Sequence, residues 1–98
     1  MNQNNNFGLI DSYYVLIKEV LGAYSKVHIF GSRSRGDFRP NSDLDLCVFD
    51  DLNFDEYLKL LVRLDDLELP YKFDLVRFGS ISSPELRDSI LKEGVVFV

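Results

Sequence analysis

The sequence predicts an α/β fold, a small sheet covered by helices. Two observations carry that expectation. Segments with apolar residues at three- and four-residue spacing alternate along the chain with short apolar runs of strand length. The 98 residues, 46% hydrophobic and 28% charged, have the ordinary composition of a globular chain with room for one core.

The elements follow in order. Ile10, Tyr13, Tyr14, Ile17, Leu21 and Tyr24 share one helical face, which predicts an amphipathic helix over residues 9–23. Residues 27–30 form an apolar run that stops at Gly31, the pattern of a buried strand, and residues 31–36 read as a turn opening a short helix. Pro40 and Asn41 break the chain into a loop over residues 38–42. Residues 43–49 form the second strand, with Asp43, Asp45, Cys47 and Phe49 on one face and Leu44, Leu46 and Val48 on the other. Asn53 is a suitable N-cap for a helix whose apolar stripe is Phe54, Tyr57, Leu58, Leu61 and Leu64. Residues 72–78 are the third strand. Ser83 as N-cap, Pro84 at the first helical position and Gly94 as terminator bound a last helix, and residues 95–98 close the sheet. A single domain over residues 1–98 is expected, with a polar, disordered start at residues 1–6.

Charge and cysteine usage narrow the function classes. A net charge of −5 argues against general nucleic-acid binding, which needs clustered cations. The distribution is uneven: Lys26, Arg33, Arg35 and Arg39 face only Asp37 within residues 25–40, whereas residues 50–68 hold seven acids against Lys59 and Arg63. A short basic segment in an acidic chain suggests a small anionic ligand. The lone Cys47 forms no internal disulfide. With no signal-like start and no membrane-length apolar run, a cytoplasmic protein without a membrane partner is expected.

Three features carry the chemistry. Gly31-Ser32-Arg33-Ser34-Arg35-Gly36 follows a strand and opens a helix. Gly31 permits close backbone approach, helix-start amides favour an anion such as phosphate, and Ser32, Arg33 and Arg35 add a hydroxyl and charge. A P-loop shares the glycine spacing but requires Lys and then Ser or Thr where Asp37 and Phe38 stand, so that reading fails. In Asp43-Leu44-Asp45, two carboxylates two residues apart on a strand project from one face, and their repulsion is relieved by a hard divalent cation, most naturally Mg²⁺. Asp74 sits inside the apolar run of Phe73, Leu75 and Val76, where an acid is costly unless paired or metal-bound. If the third strand lies beside the second, the three acids could bracket one or two metal ions.

Taken in this order, the Gly-Ser loop, the sequence Ser42-Asp43-Leu44-Asp45-Leu46 and the later Asp74 resemble the DNA polymerase beta-like nucleotidyltransferase superfamily, in particular its minimal nucleotidyltransferase branch. The resemblance spans essentially the whole chain. It implies the nucleotidyltransferase fold, a small mixed sheet of about four strands covered by helices. It also implies that Gly31 and Ser32, joined by Arg33, bind the nucleotide, that Asp43 and Asp45 ligate Mg²⁺, and that Asp74 is the third carboxylate, holding a second ion and helping to activate the acceptor hydroxyl. Ser34 stands where many relatives carry Ala, a change between small residues. Members of this size often act as MntA-type antitoxins that transfer AMP from ATP to a tyrosine of a small helical HEPN-type RNase toxin, so ATP is the implied substrate and such a toxin the implied partner.

Two other functions compete. One is a binding module that neutralises its partner by occlusion, disfavoured because unused carboxylates carry a desolvation cost. The other is transfer to a small molecule such as an aminoglycoside, for which the chain lacks the usual added helical domain. His28 and Cys47 read as structural residues, the histidine with its hydrogen bonds satisfied. The acids of residues 50–68 read as a solvated helix face.

Overall fold

The computed structural model describes residues 6–97. The disordered start expected at the N-terminus therefore falls, at residues 1–5, outside the described residues. The elements are α1 (Asp11–Leu21), β1 (Val27–Phe30), α2 (Ser32–Arg35), β2 (Leu44–Val48), α3 (Phe54–Asp65), β3 (Phe73–Arg77), α4 (Pro84–Glu93) and β4 (Val95–Val96), with a 3₁₀ turn at Phe78–Ser80 after β3. That order is the expected one with the 3₁₀ turn added. The strands form one mixed sheet in the order β3-β2-β1-β4, in which β1 runs antiparallel to β2 and β4 while β2 and β3 run parallel. The parallel pair needs a crossover, and α3 supplies it.

Alternation along the strands divides the molecule. Val27, Ile29, Leu44, Leu46, Val48 and Leu75 join Ile17, Val20 and Leu21 of α1 and Leu60 and Leu64 of α3 in one buried core. A fully buried Leu or Ile contributes about 1.5–3 kcal/mol of transfer free energy, so this layer dominates the stability of so small a sheet. His28, Asp45 and Cys47 alternate with those residues and project from the opposite face. There α4 packs on β1 and Gly94 lies against the His28 ring.

The helix ends follow from their caps. Asn53 accepts from the Glu56 amide while Glu56 accepts from the Asn53 amide, a reciprocal capping box, and Ser83 accepts from the Leu86 amide with Pro84 beginning the helix. The apolar face of α3 differs from the expected stripe. Its core side is Tyr57, Leu60, Leu61 and Leu64, whereas Phe54 is 59% and Leu58 41% exposed. The sequence places apolar residues on more of this helix than one sheet contact can cover, so periodicity alone did not fix which of them faces inward.

Candidate active site

The site forms where β1 ends and β2 and β3 begin. β1 stops at Gly31, whose φ of 73° and ψ of −152° lie in a region that side-chain-bearing residues avoid. A Cβ there would collide with the Asp45 carboxylate, so the glycine serves both the turn and a carboxylate packed against its Cα. The single-turn α2 follows and ends at Gly36, again at positive φ. In any such turn the first amides, here beginning at Ser32, lack intrahelical acceptors and can receive an anion.

Asp45 is the cross-strand neighbour of Asp74 in the parallel register, and on its other side pairs with Phe30, the residue before Gly31. Asp43 stands two residues before Asp45, just ahead of β2 rather than within it, and is exposed. Burial, then the charges of Asp74 and Asp43, hold Asp45 above the usual carboxylate range, against the opposing field of Arg35. Asp45 and Asp74 thus stand side by side at the start of β2 and β3, with Asp43 two residues upstream, and the repulsion expected between them falls mainly on Asp45.

Asp74 reaches this place differently from expectation. It is exposed on β3, an edge strand, and not enclosed in a core strand. The desolvation cost that singled it out in the sequence therefore does not apply, and its register opposite Asp45 is what joins it to the cluster.

Arg33 requires a correction. It is 2% exposed, and its guanidinium donates to the carbonyls of Phe7 (2.9 Å), Pro40 (3.1 Å) and Ser42 (3.0 and 3.3 Å). The rings of Phe38 and Tyr71 flank it at 4.9 and 5.0 Å. With four hydrogen bonds to backbone, this side chain is a clamp on the loop that delivers Asp43, its donors engaged by the chain itself rather than offered to a nucleotide. Ser42 completes the clamp by accepting from the Arg39 amide at 2.8 Å. Ser34 donates to the Gly31 carbonyl at 2.9 Å, so its hydroxyl also serves the turn.

The cation that does border the acids is Arg35, whose field reaches Asp45. It is held at 3.1 Å by Asp37 and at 3.1 Å by Glu93 of α4. The sequence marked its charge but not its place, because Glu93 lies far along the chain. His28 also departs from expectation: neither ring nitrogen has a hydrogen-bond partner among the described residues, and the ring packs edge-on to Phe49 at 4.8 Å. Cys47 is fully buried, and burial pushes its thiol up to about 11, consistent with a core role.

The donor set suits a hard cation. Among the described residues no group of three or more His, Cys, Asp or Glu side chains is placed to hold a metal ion. Mg²⁺ does not require one, since it takes one or two carboxylates and completes its shell with water and substrate phosphate.

The family is shown by comparison with known proteins. The model of the family described as Polymerase beta, Nucleotidyltransferase matches residues 16–98, and the chain belongs to that family. A protein of Methanocaldococcus jannaschii, named as a candidate protein adenylyltransferase, is 35% identical over 96 residues, covering 84% of this chain and 94% of its own. A solved structure of a candidate minimal nucleotidyltransferase superposes with a TM-score of 0.67 at 27% identity, over 87% of this chain and 89% of its own. A toxin–antitoxin structure with AMP-PNP superposes with a TM-score of 0.68 at 25% identity, over 87% of this chain and 72% of that one. The mixed four-stranded sheet expected from the sequence is thus the nucleotidyltransferase fold.

Proposed function

We propose that this nucleotidyltransferase moves AMP from ATP to a hydroxyl of a partner protein, acting as the antitoxin of a toxin–antitoxin pair. The acceptor in this reading is a tyrosine of a small helical HEPN-type RNase. The observation that carries it is the pairing of Asp45 with Asp74 at the start of β2 and β3, with Asp43 two residues upstream and Gly31 against the Asp45 carboxylate. The name of the Methanocaldococcus relative supports a protein acceptor, and the toxin–antitoxin structure holding AMP-PNP supports both the nucleotide and the biological setting.

In this account Gly31 and Ser32 receive triphosphate oxygens on backbone amides and the Ser32 hydroxyl, and Arg35 turns its charge toward the same phosphates. Asp43 and Asp45 hold Mg²⁺, with Asp74 available to a second ion. When bound, Mg²⁺ polarises the phosphoryl oxygens and neutralises developing charge. Asp74 accepts the acceptor hydroxyl proton as its oxygen bonds to the α-phosphorus. The bond between that phosphorus and the bridging oxygen breaks, and pyrophosphate leaves. The acids are open to solvent on the side of Asp43 and Asp74, so a docked protein both positions the hydroxyl and excludes water.

The test is intact-mass spectrometry of a small helical HEPN-type RNase partner co-expressed with this chain. AMP-sized additions on the partner, absent with Asp43→Asn, are expected. An unmodified partner that is still fully inhibited would overturn the proposal in favour of occlusion.

A further inference from the structure

We infer that α3 is the self-association surface of this protein, pairing antiparallel with α3 of a second copy across a two-fold axis. Phe54, Leu58 and Val62 recur at four-residue spacing and are 59%, 41% and 56% exposed, an unbroken apolar row on the outer side of the helix. Leu58 and Val62, with the stems of Lys59 and Arg63, line a shallow recess of about 390 Å³. Phe54 projects one turn away as the largest apolar group of the row, with the Tyr57 ring at 6.2 Å and the Arg77 guanidinium at 5.9 Å. The helix thus carries both a knob and a hole, displaced from each other along its axis. That is what an isologous contact needs, because each copy must offer what the other accepts.

Charge selects the occupant. On α3 Asp55 precedes Lys59 and Arg63 at four-residue intervals, with the acid toward the N-terminal end, where Asp51 also lies just ahead of the helix, and the bases toward the C-terminal end. Seating Phe54 of each copy between Leu58 and Val62 of the other sets an antiparallel register. In it Asp55 faces the second copy's Lys59. None of these four residues forms an ion pair within the chain among the described residues, although Asp55 and Lys59 stand at the helical spacing that permits one. A parallel pairing would set acid against acid and base against base.

The pairing also leaves the candidate site free. α3 packs on the face of Leu44, Leu46 and Val48, whereas Asp45 projects from the opposite face. One helix pair is at the small end of specific interfaces, below about 1,200 Å², so the dimer forms at micromolar concentrations or above and not as a permanent unit.

Sedimentation equilibrium of the full chain, from about 1 μM to about 1 mM, tests the inference. A monomer–dimer equilibrium is expected. Phe54→Asp, Asp55→Lys and Lys59→Asp should each weaken it by about tenfold or more while circular dichroism remains that of the folded chain. The charge-reversal pair decides the register. Asp55→Lys and Lys59→Asp chains mixed together should form a mixed dimer, and the double variant carrying both changes should recover self-association. Monomers at every wild-type concentration overturn the inference, as does a dimer indifferent to Lys59→Asp or a failure of the double variant to recover.

Discussion

Arg33→Lys separates a structural clamp from a phosphate ligand. The guanidinium donates four hydrogen bonds to the carbonyls of Phe7, Pro40 and Ser42 from a side chain that is 2% exposed. A lysine keeps the charge but loses the planar fork, and its ammonium reaches at most one or two of those oxygens. Hydrogen bonds to charged groups contribute about 1.5–3 kcal/mol each, so losing two, with partial rescue by water, costs about 2–4 kcal/mol. The weakened contacts to the Phe38 and Tyr71 rings act in the same direction. In a domain of this size each 1 kcal/mol moves the melting temperature by about 4–8 °C, giving a fall of about 8–32 °C. Thermal unfolding by circular dichroism, with KM for ATP measured well below the transition, checks both sides. A variant that melts within a few degrees of wild type while KM for ATP rises about tenfold would refute the clamp and return Arg33 to the nucleotide site.

Gly31→Ala should destabilise by about 1–3 kcal/mol from backbone strain alone and abolish transfer, since the new Cβ displaces the Asp45 carboxylate; an active, stable variant argues against that geometry. Asp45→Asn should abolish transfer yet flatten the pH dependence of stability in chelator. Because Asp45 is held above its ordinary value in the folded chain, its stabilising contribution is full below that ordinary value and lost as pH rises through the raised one. Equal pH–stability profiles for wild type and Asp45→Asn would contradict the assigned repulsion. His28 runs the other way: burial, then the Lys26 charge, lowers its pKa, so its contribution is present above about pH 6.5 and declines as pH falls toward the folded value. His28→Phe should therefore gain on wild type as the solution is acidified, in parallel melting curves. Mg²⁺ with ATP should stabilise the folded chain by about 2.7 kcal/mol at a hundredfold excess over Kd, and ATP with chelator far less, in a thermal-shift titration.

What the sequence revealed depended on the range of the interaction. Residues 27–30 were legible as β1 because an apolar run ended at a glycine, and the starts of α3 and α4 because Asn53, Ser83 and Pro84 act within one turn. A strand period of two predicts a common face for Asp43 and Asp45, although Asp43 stands just ahead of β2. The errors came from contacts that local pattern does not encode. Arg33 looked like a ligand beside the Gly-Ser pair because the carbonyls that engage it belong to Phe7, Pro40 and Ser42, brought together only by the fold. Aromatic residues at Phe38 and Tyr71 were the available hint that its charge was to be covered. Asp74 was selected by an argument about burial that its edge position removes, and strand order was the missing information. The inward face of α3 was misjudged because its apolar residues exceed one face, and the surplus is what leaves Phe54, Leu58 and Val62 outside.

The central claim is that Asp43, Asp45 and Asp74 act together on a metal-bound triphosphate. The most direct measurement is transfer of label from α-phosphate-labelled ATP to the co-expressed partner, comparing the wild type with Asp43→Asn, Asp45→Asn and Asp74→Asn, each verified as folded. Loss of labelling by at least about a hundredfold in all three, with wild-type labelling abolished by chelator, is the predicted result. Near-wild-type labelling by Asp45→Asn, or wild-type transfer that persists in chelator, would contradict it.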